Sequence, residues 1–306
     1  MFELSRGGKD AEALALALQI RREFPGQPAE INYFVAALYA RLGQPMKTME
    51  TLESGLEVGL GWNEAILRRS PSLTGLQEDP RFKAIVMKSA ARMRALEAST
   101  RVELDIVAPE PVDANAPLLM PLHGGGDTLE EFTPYWRPAA NAGMVVCIPQ
   151  SSQRRSTDTF WWGPLDTFDK GRSEADLTFA LKGVREQYAC SRVVFGGYSQ
   201  GAIMAVTLAL QQRPFPSLGF ICVGPAMPNL QPILPLMAPA AARGLRGWIL
   251  AGELEPGLEQ IVRLHQELTL HDVACDLEVV PQLGHEFPED FATRLPRAID
   301  FVLGTS

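Results

Sequence analysis

The stretch Gly197-Tyr198-Ser199-Gln200-Gly201 sets one serine between two glycines, where a strand-like apolar run gives way to a helix-like one. A sharp turn there presents the hydroxyl beside a helix N-terminus, which favours negative charge, and the glycines let strand and helix close on each other. This is the setting of an attacking serine; the plainer alternative is a serine that only caps the helix. A serine hydroxyl needs a base to take its proton. Of the four histidines, His265 and His271 fall in or just after the helical run GLEQIVRLHQEL and read as solvated, and His123 opens a His-Gly-Gly-Gly run. His285 sits in PQLGHEFPED, between the last strand-like run and the last helix, which brings it to the same sheet edge as Ser199. It is the expected base.

The imidazole needs an acid to hold its tautomer and to stabilise the imidazolium that forms. For a serine at a strand-to-helix elbow the chain order is serine, acid, histidine, so the acid belongs after a strand between 199 and 285. GWILAGELEPGLEQ supplies Glu253 and Glu255. Glu255, three residues past Gly252, is favoured to reach across; Glu253 stays open as the alternative.

These residues need a frame. From about residue 100 the chain alternates short β-rich runs with helical ones. The candidate strands are 101–108, 117–123, 143–149, 192–198, 218–224, 247–252 and 276–281, the pattern of βαβ units in a mainly parallel sheet. Ligands bind such sheets beyond the carboxyl ends of the strands, where the polar residues above collect. Before residue 98, Ala, Leu, Glu and Arg recur at three- and four-residue spacing and predict helices at 9–24, 29–42, 45–58 and 80–97. The expected division is therefore 1–98, helical, and 99–306, α/β.

About residues 100–304 resemble the α/β-hydrolases of the phospholipase/carboxylesterase and dienelactone hydrolase-like group. LHGGGDT, PQSSQ, GGYSQG, AGELE and LGHEFPEDF look like that group's blocks, in its order. The resemblance implies an α/β-hydrolase fold and a triad of Ser199, His285 and Glu255, with the backbone amides of Gly125 and Gln200 as the oxyanion hole. It also implies cleavage of a small-molecule carboxylic ester through an acyl-enzyme, without metal or organic cofactor. Thioesters and phospholipid-like acyl groups are the alternatives, and peptides a more distant one. Family members commonly carry Asp where Glu255 stands, and dienelactone hydrolases proper carry Cys where Ser199 stands, which argues against dienelactone as substrate. In the helical part, EINYFVAALYARLGQPMKTMETLESGLEVG resembles one tetratricopeptide repeat, and the preceding KDAEALALALQIRREFPGQP the second helix of another. So few repeats bury little by themselves, so residues 1–98 are expected either to cap the catalytic domain or to dock a protein partner or a second copy. A protein of a different class would use those helices for interaction and the hydrolase fold as scaffold.

Substrate contacts are expected from His123 and Gly124, and from the long aromatic loop between Gln150 and Arg172, where Trp161 and Trp162 offer a wall for acyl group or alcohol. The Pro-rich GPAMPNLQPILPLMAPAAARG would shield the cleft or cover core. A net charge of −8, from 28 Lys and Arg against 36 Asp and Glu, with no basic stripe, argues against nucleic acid. No eighteen uncharged apolar residues run together, so no membrane span is expected. The first 24 residues read as an amphipathic helix rather than a signal peptide, and the expected location is cytoplasmic. Cys147, Cys190, Cys222 and Cys275 lie far apart without metal-ligand spacing and read as buried free thiols.

Overall fold

The computed structural model describes residues 4–5, 7–23, 28–163 and 170–305. The chain divides into two compact units: Met1–Arg101 with Gln153–Pro164, and Val102–Ser152 with Leu165–Ser306. The division expected from sequence is unbroken on either side of residue 98. The observed one instead returns a short segment, 153 onward, to the helical unit.

The helical unit contains α1 (Asp10–Glu23), α2 (Pro28–Arg41), α3 (Pro45–Glu57), a short α4 (Glu64–Arg69) and α5 (Pro80–Ser99). The four long helices lie where periodicity puts them, though Phe24, the last residue of the first predicted helix, is outside the described residues. The α4 helix escapes such reading because six residues hold too little periodicity to register. Local chemistry fixes the starts. Asn63 caps α4 by accepting from the Ala65 N–H at 3.0 Å, and Asp79 caps α5 by accepting from the Arg81 N–H at 2.7 Å, with Pro80 at the first helical position. One apolar cluster joins Ala36, Leu52, Trp62, Leu67, Phe82 and Val86. At its centre Trp62 spends its indole N–H on the Ala29 carbonyl at 2.8 Å, while the Ser89 hydroxyl accepts from the Trp62 N–H and donates to its carbonyl, both at 2.7 Å.

The returning segment is stitched to these helices by hydrogen bonds. Ser156 forms an antiparallel bridge with Trp62, and the Asn63 N–H donates to the Arg155 carbonyl at 2.8 Å. Asp158 Oδ2 accepts from the Ala29 N–H at 2.8 Å, one of the orphan donors in the first turn of α2. Glu30 Oε1 accepts from Thr159 Oγ1 at 2.8 Å and from Arg155 Nε at 3.1 Å.

The second unit is a seven-stranded sheet: β1 (Glu103–Val107), β2 (Leu118–Leu122), β3 (Val145–Gln150), β4 (Val193–Tyr198), β5 (Gly219–Val223), β6 (Arg246–Gly252) and β7 (Ala274–Val280). All seven coincide with predicted strands. The order is β1-β3-β2-β4-β5-β6-β7, with β1 antiparallel to β3 and every other pair parallel. Buried on both faces, β2, β5 and β3 as far as Pro149 read as unbroken apolar runs, which is why they stand out in the sequence. The connecting helices are α6 (Leu129–Trp136), α7 (Lys170–Arg185), α8 (Gln200–Gln211), α9 (Leu234–Ala242), α10 (Leu258–Leu270) and α11 (Phe291–Leu303). Trp136, Val146, Val194, Trp248, Phe291 and Leu295 belong to one core cluster. The Pro-rich stretch covers core: Leu230, Ile233, Met237 and Ala240 are all buried. Three cysteines are buried and Cys275 is half-buried, all four as free thiols. Among the described residues no helix is long and apolar enough to cross a membrane.

Candidate active site

After β2 the chain moves to one side to form β3, and then crosses back to lay β4 on the other side of β2. The crevice of such a sheet opens at the carboxyl ends where the direction reverses. Here those ends carry His123–Gly126 after β2 and Ser199 after β4.

Ser199 has φ 52° and ψ −114°, a conformation costing a non-glycine residue about 1–3 kcal/mol. The surrounding backbone enforces it. The Ser199 N–H donates to the Val223 carbonyl at 2.9 Å, and its own carbonyl accepts from the Ile203 N–H at 3.1 Å. A Cβ on Gly201 would run into the carbonyls of Leu122 and His123, and one on Gly197 into the backbone of Gly201 and Ala202. The two flanking glycines therefore permit the close approach of helix to strand that their positions suggest. Although Ser199 occupies the N-cap position of α8, its side chain makes no capping bond. The hydroxyl donates instead to His285 Nε2 at 2.9 Å.

On the other side of that ring, His285 Nδ1–H donates to Glu255 Oε2 at 2.7 Å. Glu255 is buried at 8% exposure and its backbone N–H returns to the Gly252 carbonyl at 3.1 Å, a tight turn off the end of β6. Glu253 is occupied elsewhere: its Oε2 accepts from the backbone N–H of Gln282 at 3.0 Å and from the Gln282 amide at 3.2 Å, bracing the loop that carries His285. Gly224, at φ 63°, sits where a Cβ would come within 3.0 Å of the imidazole and 3.3 Å of the Glu255 carboxylate. The ring is also held from its flat side. Tyr198 stacks on it with centroids 5.0 Å apart and donates its hydroxyl to the His285 carbonyl at 2.7 Å. Burial holds the Tyr198 phenol well above its ordinary range, so it remains a donor.

The oxyanion residues implied by the resemblance lie at the two crevice ends, Gly125 in the loop after β2 and Gln200 as the first residue of α8. His123 and Gly124, from which substrate contacts are expected, lie in the loop directly after β2. His123 is fully buried, with Nδ1 2.8 Å from the Gly124 carbonyl and Nε2 accepting from the Ser151 N–H at 3.2 Å; burial lowers its pKa to about 4. The Gly124 N–H is taken by Asp127 Oδ2 at 2.7 Å. Of the two tryptophans expected as an aromatic wall, Trp162 is fully buried and Trp161 6% exposed, in the segment grouped with the helical unit. Residues 164–169 of that expected cleft loop lie outside the described residues.

Several supporting residues carry no expectation from sequence. Gln150, at the end of β3, accepts from the Leu129 N–H at 2.6 Å and places its amide nitrogen 3.1 Å from His123 Nε2. Asp176 of α7 accepts from the Ser152 N–H at 2.8 Å and its hydroxyl at 2.9 Å; burial raises its pKa against those bonds. The signal was present in the PQSSQ block, but nothing local says which side chains answer it.

No protein-family model and no curated protein matches the chain. Solved structures do. An uncharacterized protein from Bacillus cereus ATCC 10987 is 23% identical, covering 100% of this chain and 97% of that one at a TM-score of 0.57. Esterase PE8, at 16% identity, and acyl-protein thioesterase 2 from Zea mays, at 15%, each cover 66% of this chain and 99% of their own at a TM-score of 0.53. The likeness is one of architecture: a mainly parallel seven-stranded sheet flanked by helices, shared with esterases. The fold is that of the α/β-hydrolases.

Proposed function

We propose that the chain is a serine hydrolase acting on carboxylic esters. The observation that carries this reading is the unbroken line from the strained Ser199 hydroxyl to His285 Nε2 at 2.9 Å and from His285 Nδ1 to Glu255 at 2.7 Å. In the first step Ser199 Oγ attacks the ester carbonyl carbon as its proton passes to His285 Nε2. The imidazolium is stabilised by the Glu255 carboxylate, and the carbonyl oxygen, now negative, is met by the Gly125 and Gln200 amides. The imidazolium then protonates the departing alcohol, leaving an acyl group on Ser199. Water, deprotonated by His285, attacks that acyl-enzyme and releases the acid. Thioesters pass through the same steps, and the shared fold with an acyl-protein thioesterase makes them the second class to try.

A fluorophosphonate should label the wild type at Ser199, with p-nitrophenyl esters of graded acyl length turned over and the Ser199→Ala variant inert in both assays. A folded protein that neither labels nor turns over any ester or thioester in the panel rejects the reading.

A further inference from the structure

We propose that His123 and Asp127 are positioning residues, which hold the two peptides flanking the Gly124 Cα and so aim the Gly125 N–H at the oxygen of the tetrahedral intermediate. This rests on the acyl-transfer reading above. Gly124 has its N–H bound by Asp127 Oδ2 at 2.7 Å and its carbonyl bound by His123 Nδ1 at 2.8 Å, so both peptides flanking its Cα are held. A trans peptide is planar, and its C=O and N–H point in opposite senses. Fixing the Gly124 carbonyl toward His123 therefore fixes the direction of the Gly125 N–H. Without such bonds a run of three glycines samples many orientations, and the donor would have to be ordered anew in each turnover.

The proton on His123 is placed by its neighbours. Nε2 faces the Ser151 N–H and the amide nitrogen of Gln150, whose oxygen is committed to the Leu129 N–H. With donors on that side Nε2 must accept, and the single proton of the neutral ring resides on Nδ1, toward Gly124. Burial keeps the ring neutral, as its lowered pKa reflects. The approach of Asp127 depends on glycine: a Cβ on Gly124 would lie 2.7 Å from Asp127 Oδ2 and 3.0 Å from the Tyr198 ring.

An oxyanion donor acts in the transition state, so its misalignment lowers kcat and leaves KM nearly unchanged. The test is steady-state kinetics on a p-nitrophenyl ester, with thermal melts, for His123→Asn, His123→Gln, Asp127→Asn and Asp127→Ala. An asparagine amide stands where Nδ1 stood and can donate to Gly124, whereas a glutamine amide stands nearer the Nε2 position. Likewise Asp127→Asn keeps an oxygen acceptor that Asp127→Ala removes. Expected are kcat losses of roughly 10²-fold in His123→Gln and Asp127→Ala, the scale of losing one oxyanion donor, and recovery to within about tenfold of wild type in the two asparagine variants. Equal kcat in the Asn and Gln variants at position 123, or wild-type kcat in Asp127→Ala, overturns the positioning role while ester turnover by the wild type leaves the hydrolase reading standing. A wild type without turnover overturns both. Should Asp127→Ala melt below the assay temperature, the position-123 pair decides.

Discussion

Around Ser199, each side chain of the proposed triad sits within a few residues of a strand end: Ser199 directly after β4, Glu255 three residues past β6, His285 five past β7. In the helical unit the polar side chains that close the structure come from far apart in the chain, Glu30 from the start of α2 and Asp158 from the returning segment. The sheet unit thus obtains its geometry from register, which parallel pairing extends across neighbouring strands. The helical unit obtains part of its own from single hydrogen bonds between remote segments. Damage to the first should appear as lost chemistry on an intact fold, and damage to the second as lost stability.

The largest effect expected is that of Ser199→Ala. Ester turnover should fall by roughly 10³-fold or more, because the hydroxyl proposed to carry the acyl group is gone. Stability should remain within about 0.5 kcal/mol of wild type, since the hydroxyl makes no cap and fills no core. A melt that moves with the loss of activity would place Ser199 among the structural residues and erase the contrast. Next come the two glutamates. Glu255→Gln should cost about 10²-fold to 10⁴-fold in kcat, by presenting an uncharged partner to the imidazolium, while Glu253→Gln should stay within about tenfold because it only braces the Gln282 turn. The reverse ranking in kinetics would hand the acid's role to Glu253.

The two glutamates also mark how far sequence reading reaches. Both follow the same strand, and either spacing suits a loop that turns across the sheet edge; the decision lies with Gln282, whose N–H and amide claim Glu253. Strands and long helices were legible because their burial imposes a period or an unbroken apolar run. The meeting of Ser199 and His285 at one sheet edge was legible because glycines and strand ends bracket them. The home of Trp161 and Trp162 was not, since segment 153–163 is held by pairing with Trp62, Asn63, Ala29 and Glu30, and such non-local bonds leave no local pattern. His123 lies in the LHGGGDT block, and its two ring nitrogens meet the Gly124 carbonyl and the Ser151 N–H. A histidine beside glycines at a strand end looks accessible until the neighbouring strand, β3, is seen to bring Gln150 and Ser151 onto the ring.

That burial has a measurable consequence in acid. The folded state holds His123 with a pKa of about 4, below the ordinary value near 6.5, so below pH 6.5 the unfolded chain binds a proton that the folded chain resists. Stability should therefore fall as pH drops from 6.5 to 4, by about 3 kcal/mol from this group, and be unaffected by it above pH 6.5. Urea melts of wild type and His123→Asn across that window should diverge, the wild type having the steeper loss. Parallel curves would mean that the ring gains a proton in the fold without penalty.

The smallest effect is the sharpest probe of the helical unit. Asp158 Oδ2 accepts from the Ala29 N–H, and its Oδ1 accepts from the Ser156 hydroxyl, so Asp158→Ala removes an end-cap of α2 and a brace of the returning segment at once. The expected cost is about 1–2 kcal/mol, the range of a lost helix cap with its orphaned donor. Asp158→Asn, which retains an acceptor oxygen, should recover part of it. Because the segment follows directly on Gln150, Ser151 and Ser152, turnover at a temperature well below the melt reports whether the loss stays local. Kinetics equal to wild type alongside a lowered melting temperature would support a unit whose bonds serve stability alone. A fall in kcat at constant KM would mean instead that loosening residue 153 onward reaches Ser151 and, through its N–H, the His123 ring that faces Gly124.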